Sequence, residues 1–338
     1  FAGCTTILFE GKPVRTPDAG TFWRILSDYK VNVFFTAPTA FRAIRKEDPE
    51  ASLLSKYDLS HLRSLFVAGE RTDPSTYEWL REILGVPVID HWWQTETGWP
   101  VACIPMGLEP AEAKAGSVAM PVPGFDVQVV SESCEPLNAD EEGAVVIKLP
   151  LPPGCLPTVW GDHQRYVESY LSESPGYYHT GDGGYIDSDG YLYIMGRTDD
   201  VINVAGHRLS TGQMEEVVAA HPAVAECAVV GIEDKDKGQV PVGMVVIKDG
   251  VNIELGRLED ELVAMVRKDV GAFASFKRIV RVLRLPKTRS GKILRQVIRK
   301  IVDTKPYEMP ATIDDPAILE EIADAFKQNG IGYIAQQH

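Results

Sequence analysis

The stretch Val86-Pro87-Val88-Ile89-Asp90-His91-Trp92-Trp93-Gln94-Thr95-Glu96-Thr97-Gly98 carries the reading of this chain. Its first five residues are an apolar run ending in Asp90, which reads as a short buried strand. The chain then runs straight into a loop that presents two hydroxyls and a carboxylate. Hydroxyls can donate to phosphate oxygens, and a lone Glu suits a Mg²⁺ that keeps most of its waters. The plainer alternative is a surface turn with a packed pair of tryptophans.

Two similar units lie upstream. Val31–Ala37 is an apolar run ending at Pro38, and Thr39–Lys46 after it reads as a helix. Ser64–Ala68 is a second buried strand, closed by Gly69. Asp73-Pro74 then starts a helix through Leu84, because Asp caps and Pro suits the first helical turn. Strand–helix alternation predicts an α/β fold with a largely parallel sheet, whose ligands sit beyond the C-terminal strand ends. Gly69-Glu70 and Gln94-Thr95-Glu96 both lie at such ends.

Downstream the pattern changes. Residues 115–160 are rich in Pro, Gly and short β runs (Phe125–Val130, Ala144–Lys148), which predicts an antiparallel, β-barrel-like piece. Tyr185–Ile194 reads as a hairpin around Ser188-Asp189-Gly190, where Asp-Gly supplies positive φ. After Arg197-Thr198-Asp199-Asp200 the pattern resets to a compact α+β unit. It has a strand at Val201–Val204, a helix capped near Ser210, and strands at Glu226–Gly231 and Val240–Lys248. A helix (Leu258–Val270), a strand (Ile279–Leu285) and a basic helix (Lys292–Ile301) follow. The boundary falls at Asp199. Residues 1–198 then belong to a large N-terminal domain with mixed sheets, residues 199–310 form a small α+β C-terminal domain, and residues 311–338 form a tail helical over Asp315–Gln328.

The chain has 338 residues, 44% hydrophobic and 24% charged, the profile of a globular protein. A net charge of −14 argues against a general electrostatic grip on nucleic acid or anionic lipid. No apolar run reaches the ~18 residues of a membrane span. Five scattered cysteines without a CxxC pair suit a reducing compartment and argue against a Cys-built zinc site. The chain opens Phe1-Ala2-Gly3-Cys4, without initiator Met or signal-peptide pattern, and reads as the middle of a domain.

Three further segments carry candidate chemistry. In Tyr178-His179-Thr180-Gly181-Asp182, an Asp beside Gly can accept both hydroxyls of a ribose; a turn or helix cap is the plain alternative. Gly196-Arg197 through His207-Arg208 supplies two arginines around the predicted hinge, and Arg forks match phosphate geometry; an interdomain salt bridge is the alternative. Pro286-Lys287-Thr288-Arg289-Ser290-Gly291-Lys292 leads into a helix whose N-terminus favours anions. Arg295, Arg299 and Lys300 continue at helical spacing, so a solvated basic face is the alternative there.

Taken in order, WWQTETG, YHTGD, GRTDDVINVAGHRLS and PKTRSGK resemble the acyl-adenylate-forming (AMP-binding) superfamily, with particular similarity to acetyl- and propionyl-CoA synthetases. The resemblance covers nearly the whole chain. It implies an ATP-dependent ligase. A carboxylate attacks the α-phosphate of Mg·ATP to give acyl-AMP, and the thiol of coenzyme A then takes the acyl group. It also implies a small C-terminal domain that rotates about Asp199.

By the same resemblance Gly69, Glu70 and Arg71 line the adenine side, and Asp90, His91, Trp92, Trp93, Gln94 and Thr95 form the nucleotide-binding loop, with Thr95 on phosphate and Glu96 near Mg²⁺. Asp182 and Arg197 match ribose contacts, and Arg208 a phosphate contact. Lys292 matches the lysine that bridges the carboxylate and the α-phosphate, which would otherwise repel. It is also a regulatory acetylation site in this family, which implies an acetyltransferase and a deacetylase as partners. Ala205, Gly206 and Arg267 match CoA-side positions. His221, with main-chain oxygens at Ala219 and Val224, matches a structural cation site, although a His before Pro is commonly just a helix terminus.

The family's Ser/Thr/Gly-rich phosphate loop is absent and is expected upstream. Ala205 stands where acetyl-CoA synthetases usually have Ser. Trp93 matches the tryptophan that closes a short acid pocket, and Ala68 sits where acetate enzymes typically carry Val. The lost methyls make room for one or two carbons, each worth up to ~0.8 kcal/mol, and discrimination at that level is only ~10–200-fold. Propionate is therefore favoured, with acetate the alternative. Competing readings are a carrier-protein-loading adenylation domain and a non-catalytic nucleotide-binding fragment. The family occurs in bacterial cytoplasm and the mitochondrial matrix.

Overall fold

The computed structural model describes residues 3–108, 111–289 and 291–332. Phe1, Ala2, Ser290 of the basic segment and residues 333–338 of the predicted tail lie outside the described residues.

The N-terminal part is an alternating α/β layer. Helix α1 (Thr21–Asp28) precedes β1 (Val33–Thr36), α2 (Pro38–Glu47), β2 (Ser64–Val67), α3 (Pro74–Leu84) and β3 (Val88–Asp90). The strands form a parallel sheet in the order β1-β2-β3. Thr36 pairs with Val67 and Val67 with Asp90, so all three strands end along one edge. Helix α3 begins as its residues dictate: the Asp73 carboxylate accepts the Thr76 N–H at 2.8 Å, Pro74 fills the first turn, and Gly85 closes the helix at φ 63°. Trp23, Phe41, Ile44, Leu65 and Leu80 are fully buried between helices and sheet. Strand β1 is an edge and leaves Val33 and Phe35 exposed.

A two-stranded antiparallel pair follows, β4 (Ala102–Cys103) with β5 (Met120–Pro121). Next come β6 (Val127–Val130), β7 (Gly143–Lys148), helix α4 (His163–Tyr170), β8 (Tyr177–Ile186) and β9 (Leu192–Arg197). The expected barrel-like piece is an open four-stranded antiparallel sheet among the described residues, in the order β6-β7-β8-β9. The alternation of Pro, Gly and short β runs is common to barrels and open sheets; closure depends on strand number and stagger, which the local pattern does not encode. The predicted hairpin is present, with Gly190 at φ 87° in its turn.

A single helical turn at Thr198–Asp200 leads to the last unit. Strands β10 (Ile202–Val204) and β11 (His207–Leu209) form a hairpin whose two turn residues, Ala205 and Gly206, have φ 50° and 87°. Helix α5 (Thr211–Ala219), β12 (Val224–Asp234), β13 (Gly238–Ile247), α6 (Leu255–Asp269), β14 (Arg278–Arg281), α7 (Arg295–Val302) and α8 (Ile318–Gln328) follow. The sheet runs β11-β10-β13-β12, and β14 joins β13 in parallel. One core lies on each face. Met214, Leu258 and Leu262 fill one, whereas Ile298, Val302 and Phe326 fill the other. The basic helix starts later than its charges suggest: Lys292 lies in the loop before α7, within the turn closed by the Lys287–Ile293 bridge.

Candidate functional site

A cleft of about 890 Å³ opens where the C-terminal edge of the parallel sheet meets β8, β9, α5 and the loop before α7. Because β2 and β3 end in register, the segments Gly69–Arg71 and His91–Glu96 emerge side by side and both line it. Asp182, Arg197 and Lys292 line it from the other side.

Asp182 is set by strand geometry. It pairs with Arg197 across β8–β9, and an irregularity between Val145 and Val146 of β7 breaks the ladder at Thr180-Gly181, which re-aims Asp182. Gly181 has φ 69°, and a Cβ there would lie 2.3 Å from the Arg197 guanidinium. The Asp182 carboxylate is buried and accepts from Trp92 Nε1 at 3.2 Å and Gln94 Nε2 at 2.8 Å. Arg197 Nη1 is 3.6 Å away and also donates to the Thr180 carbonyl at 2.8 Å. Burial pushes the Asp182 carboxyl upward, against the pull of Arg197, Gln94, Trp92 and Lys292.

The loop after β3 divides its labour. Trp92 is buried and Trp93 is 42% exposed, so the two tryptophans are not one packed pair. Trp93 stacks on His91 at 6.2 Å between ring centroids and meets Phe35 edge-on. His91 donates from Nδ1 to the Val67 carbonyl at 2.7 Å, and burial lowers its pKa. Of the two hydroxyls expected to face a ligand, only Thr95 does: Thr97 is buried and closes the turn, donating to the Gln94 carbonyl at 2.9 Å and accepting the Gln94 N–H at 3.1 Å. Glu96 lines the cleft, and its Oε1 accepts the Tyr170 hydroxyl at 2.9 Å. Asp90 is buried beneath Thr72, whose N–H it accepts at 3.3 Å; burial pushes its carboxyl up to about 7.

Among the described residues no group of three or more His, Cys, Asp or Glu side chains is arranged to hold a metal ion. The Glu96 carboxylate, in a cleft that Thr95, Arg197 and Lys292 also line, fits Mg²⁺ brought in on a phosphate-bearing ligand, since Mg²⁺ is usually held by one or two carboxylates plus phosphates and waters. His221 is engaged elsewhere: Nε2 meets Glu261 Oε2 at 2.9 Å and Nδ1 accepts the Ala223 N–H at 3.2 Å.

Other predicted residues lie outside the cleft. Ala68 is buried at the end of β2, and its N–H donates to Thr36. Arg208 is exposed and ion-pairs with Glu132 in the β6–β7 connection. Gly206 borders a separate cavity with Lys237 and Arg299, Ala205 is exposed beside it, and Arg267 is exposed on α6. Asp199 accepts from Gln296 Nε2 at 2.5 Å in the turn between the two parts.

The reading from sequence missed a charged seam along the cleft. Arg42 meets Glu70 at 2.5 Å and Asp73 at 3.3 Å, Arg71 meets Glu216 at 2.7 Å, and Arg295 holds Glu215 at 2.8 Å. Lys287 Nζ donates to Thr39 at 2.7 Å and Glu226 at 2.8 Å. No local pattern marks these pairs. The placement of Arg42 and Arg45 on one face of α2 is the only hint.

Residues 1–152 match the AMP-binding enzyme family, and residues 213–292 match the AMP-binding enzyme C-terminal domain. An uncharacterized protein of Pseudomonas aeruginosa is 60% identical over 332 residues, 98% of this chain and 53% of the relative. The mitochondrial acyl-CoA synthetase short-chain family member 3 of Mus musculus is 48% identical over 96% of this chain and 48% of its own length. The propionate–CoA ligase of Escherichia coli K12 is 45% identical over 97% and 53%. The chain thus spans about half the length of the relatives it matches. Among solved structures, an anthranilate CoA ligase in complex with anthranoyl-AMP superposes with a TM-score of 0.76 at 27% identity, covering 88% of this chain and 54% of that one.

Proposed function

For a chain that belongs to the AMP-binding enzyme family, we propose the nucleotide-binding and C-terminal part of an ATP-dependent ligase that joins a short carboxylic acid to coenzyme A through an acyl-adenylate. The observation that carries this reading is the meeting of Asp182 with Arg197, Thr95 with Glu96, and Lys292 in one cleft. Asp182, held by Trp92 and Gln94, accepts ribose hydroxyls. Gly69–Arg71 and Asp90 flank the adenine. Thr95 and Lys292 take phosphate oxygens, and Lys292 offsets the charge that builds as a carboxylate approaches an α-phosphate. Mg²⁺ near Glu96 would neutralise phosphate charge when bound.

In the second step coenzyme A is the acceptor. The CoA-side positions Ala205, Gly206 and Arg267 lie outside the cleft, as does Arg208, expected on phosphate, which supports a small domain (199–310) that turns about Asp199 to bring that face in. Propionate is the favoured acid and acetate the alternative, with half-exposed Trp93 on the cleft wall limiting the chain length. Lys292 is exposed and accessible to an acetyltransferase, and acetylation would remove the charge adenylation needs. All five cysteines are free, which suits the bacterial cytoplasm or the mitochondrial matrix; among the described residues no helix is long and apolar enough to cross a membrane.

Calorimetric titration with AMP and with a non-hydrolysable propyl ester of AMP tests this reading. The ester is expected to bind more tightly than AMP and than the corresponding decyl ester, and Asp182→Ala to weaken both ligands. Absence of AMP binding by the unmodified chain would overturn the assignment.

A further inference from the structure

Glu96 is held from two directions by one segment. Its main-chain carbonyl accepts the Leu156 N–H at 2.6 Å, and its Oε1 accepts the Tyr170 hydroxyl at 2.9 Å. Tyr170 is the last residue of α4, a helix whose start is set by Asp162 accepting the Arg165 N–H at 3.0 Å. Its ring lies parallel to that of Tyr178, 5.3 Å between centroids and 7° between planes. Tyr178, on β8, is fully buried and donates to Gln94 Oε1 at 3.1 Å. Gln94 in turn donates to Asp182. A stacked tyrosine pair therefore joins the two ends of the cleft, one hydroxyl on the carboxylate of Glu96 and the other on the amide that orients Asp182.

We propose that Tyr170 is a positioning residue that orients the Glu96 carboxylate toward a phosphate-bound divalent cation, and that Tyr178 does the corresponding work, through Gln94, for the ribose end. The physical case is directional. A carboxylate on a solvent-facing loop samples several rotamers, and the cost of fixing it falls on each binding event. A phenol donating to one oxygen fixes the rotamer beforehand and leaves the second oxygen to face the ligand. The stack keeps the phenol from swinging, since the ring is packed on a buried partner. This inference rests on the reading of Glu96 given above.

The test is titration of ATP binding with Mg²⁺, and of AMP binding in EDTA, on the whole chain. Tyr170→Phe keeps the ring and the stack. It is expected to raise the Mg²⁺ concentration needed for tight ATP binding roughly tenfold, the scale of one hydrogen bond to a charged group, and to leave AMP affinity in EDTA within about twofold. Tyr178→Phe is expected to do the reverse, weakening AMP and sparing the Mg²⁺ requirement. Glu96→Gln combined with Tyr170→Phe is expected to be no worse than Glu96→Gln alone. An unchanged Mg²⁺ requirement in Tyr170→Phe overturns the proposal, as does equal weakening of AMP in EDTA, which would mark a merely structural ring. A wild-type chain that binds AMP but gains nothing from Mg²⁺ also overturns it, while leaving the nucleotide-binding assignment standing. A wild-type chain that binds no AMP overturns both.

Discussion

Gly212 offers a sharp test of how the two parts of this chain meet. It lies in the first turn of α5, against the main chain of Met195 in β9. A Cβ added there would sit 1.9 Å from the Met195 carbonyl oxygen and 2.9 Å from its carbon, where real Cβ atoms stay beyond 3.0 Å. Neither atom belongs to a flexible side chain, so Gly212→Ala must push α5 back by at least about 1.1 Å (3.0 less 1.9). That shift stretches three contacts: Ser210 Oγ to the Met195 carbonyl at 3.2 Å, Arg71 Nη1 to the Gly212 carbonyl at 3.3 Å, and Arg71 Nη2 to Glu216 at 2.7 Å. Overpacking of this kind costs about 1–3 kcal/mol, which corresponds to roughly a 5–150-fold change in a two-state population. Met195 precedes Asp199 and Gly212 follows it, so the cost falls on the relative orientation of the two parts rather than on either core. Hydrogen–deuterium exchange reads this directly. Segments 69–73 and 210–216 are expected to lose protection, while the core strands 64–67 and 242–246 keep theirs. Unchanged exchange along the seam, or equal loss in the cores, would refute the reasoning.

Three further outcomes are expected. Asp90 titrates near 3.8 when unfolded but is pushed up to about 7 by burial in the fold. The folded state therefore binds the extra proton between those values, and stability falls as pH rises from about 4 to 7. Asp90→Asn should flatten that fall in melting temperatures taken from pH 4.5 to 8, and parallel profiles would count against it. Asp182→Ala removes the acceptor of two donors, buried Trp92 and half-buried Gln94. It is expected to weaken AMP binding roughly 10–150-fold by calorimetry, the range for hydrogen bonds to a charged group, and a change below threefold would contradict the ribose role. Ile298 is fully buried on the inner face of α7, and Ile298→Ala should cost about 2–5 kcal/mol in urea unfolding; a smaller loss would mean that the site collapses around the cavity.

The parts of this protein legible in its sequence are those governed by neighbours within a few residues. The apolar runs at Val31–Ala37, Ser64–Ala68 and Val86–Asp90 read as strands because each is short, apolar and punctuated by Pro, Gly or Asp, and the strands form within them at Val33–Thr36, Ser64–Val67 and Val88–Asp90. The start of α3 read correctly from Asp73-Pro74 because the capping carboxylate and the N–H that donates to it lie three residues apart. The parallel sheet, and with it the side-by-side emergence of Gly69–Arg71 and His91–Glu96, followed from alternation alone. Only the tertiary structure decided which polar groups share a site. Tyr170 and Glu96 are 74 residues apart, and Lys287 and Thr39 are 248 apart. The same loop turns Thr95 into the cleft and Thr97 into the protein. Arg208 and Lys292 are equally basic in sequence, yet one meets Glu132 outside the cleft and the other lines it. The reason is that hydrophobic period and capping act locally, whereas the pairing of long charged side chains depends on how separately formed units are turned against each other. That turn is set at Thr198–Asp200 and along the seam between α2, α5 and β12, by contacts no short window contains.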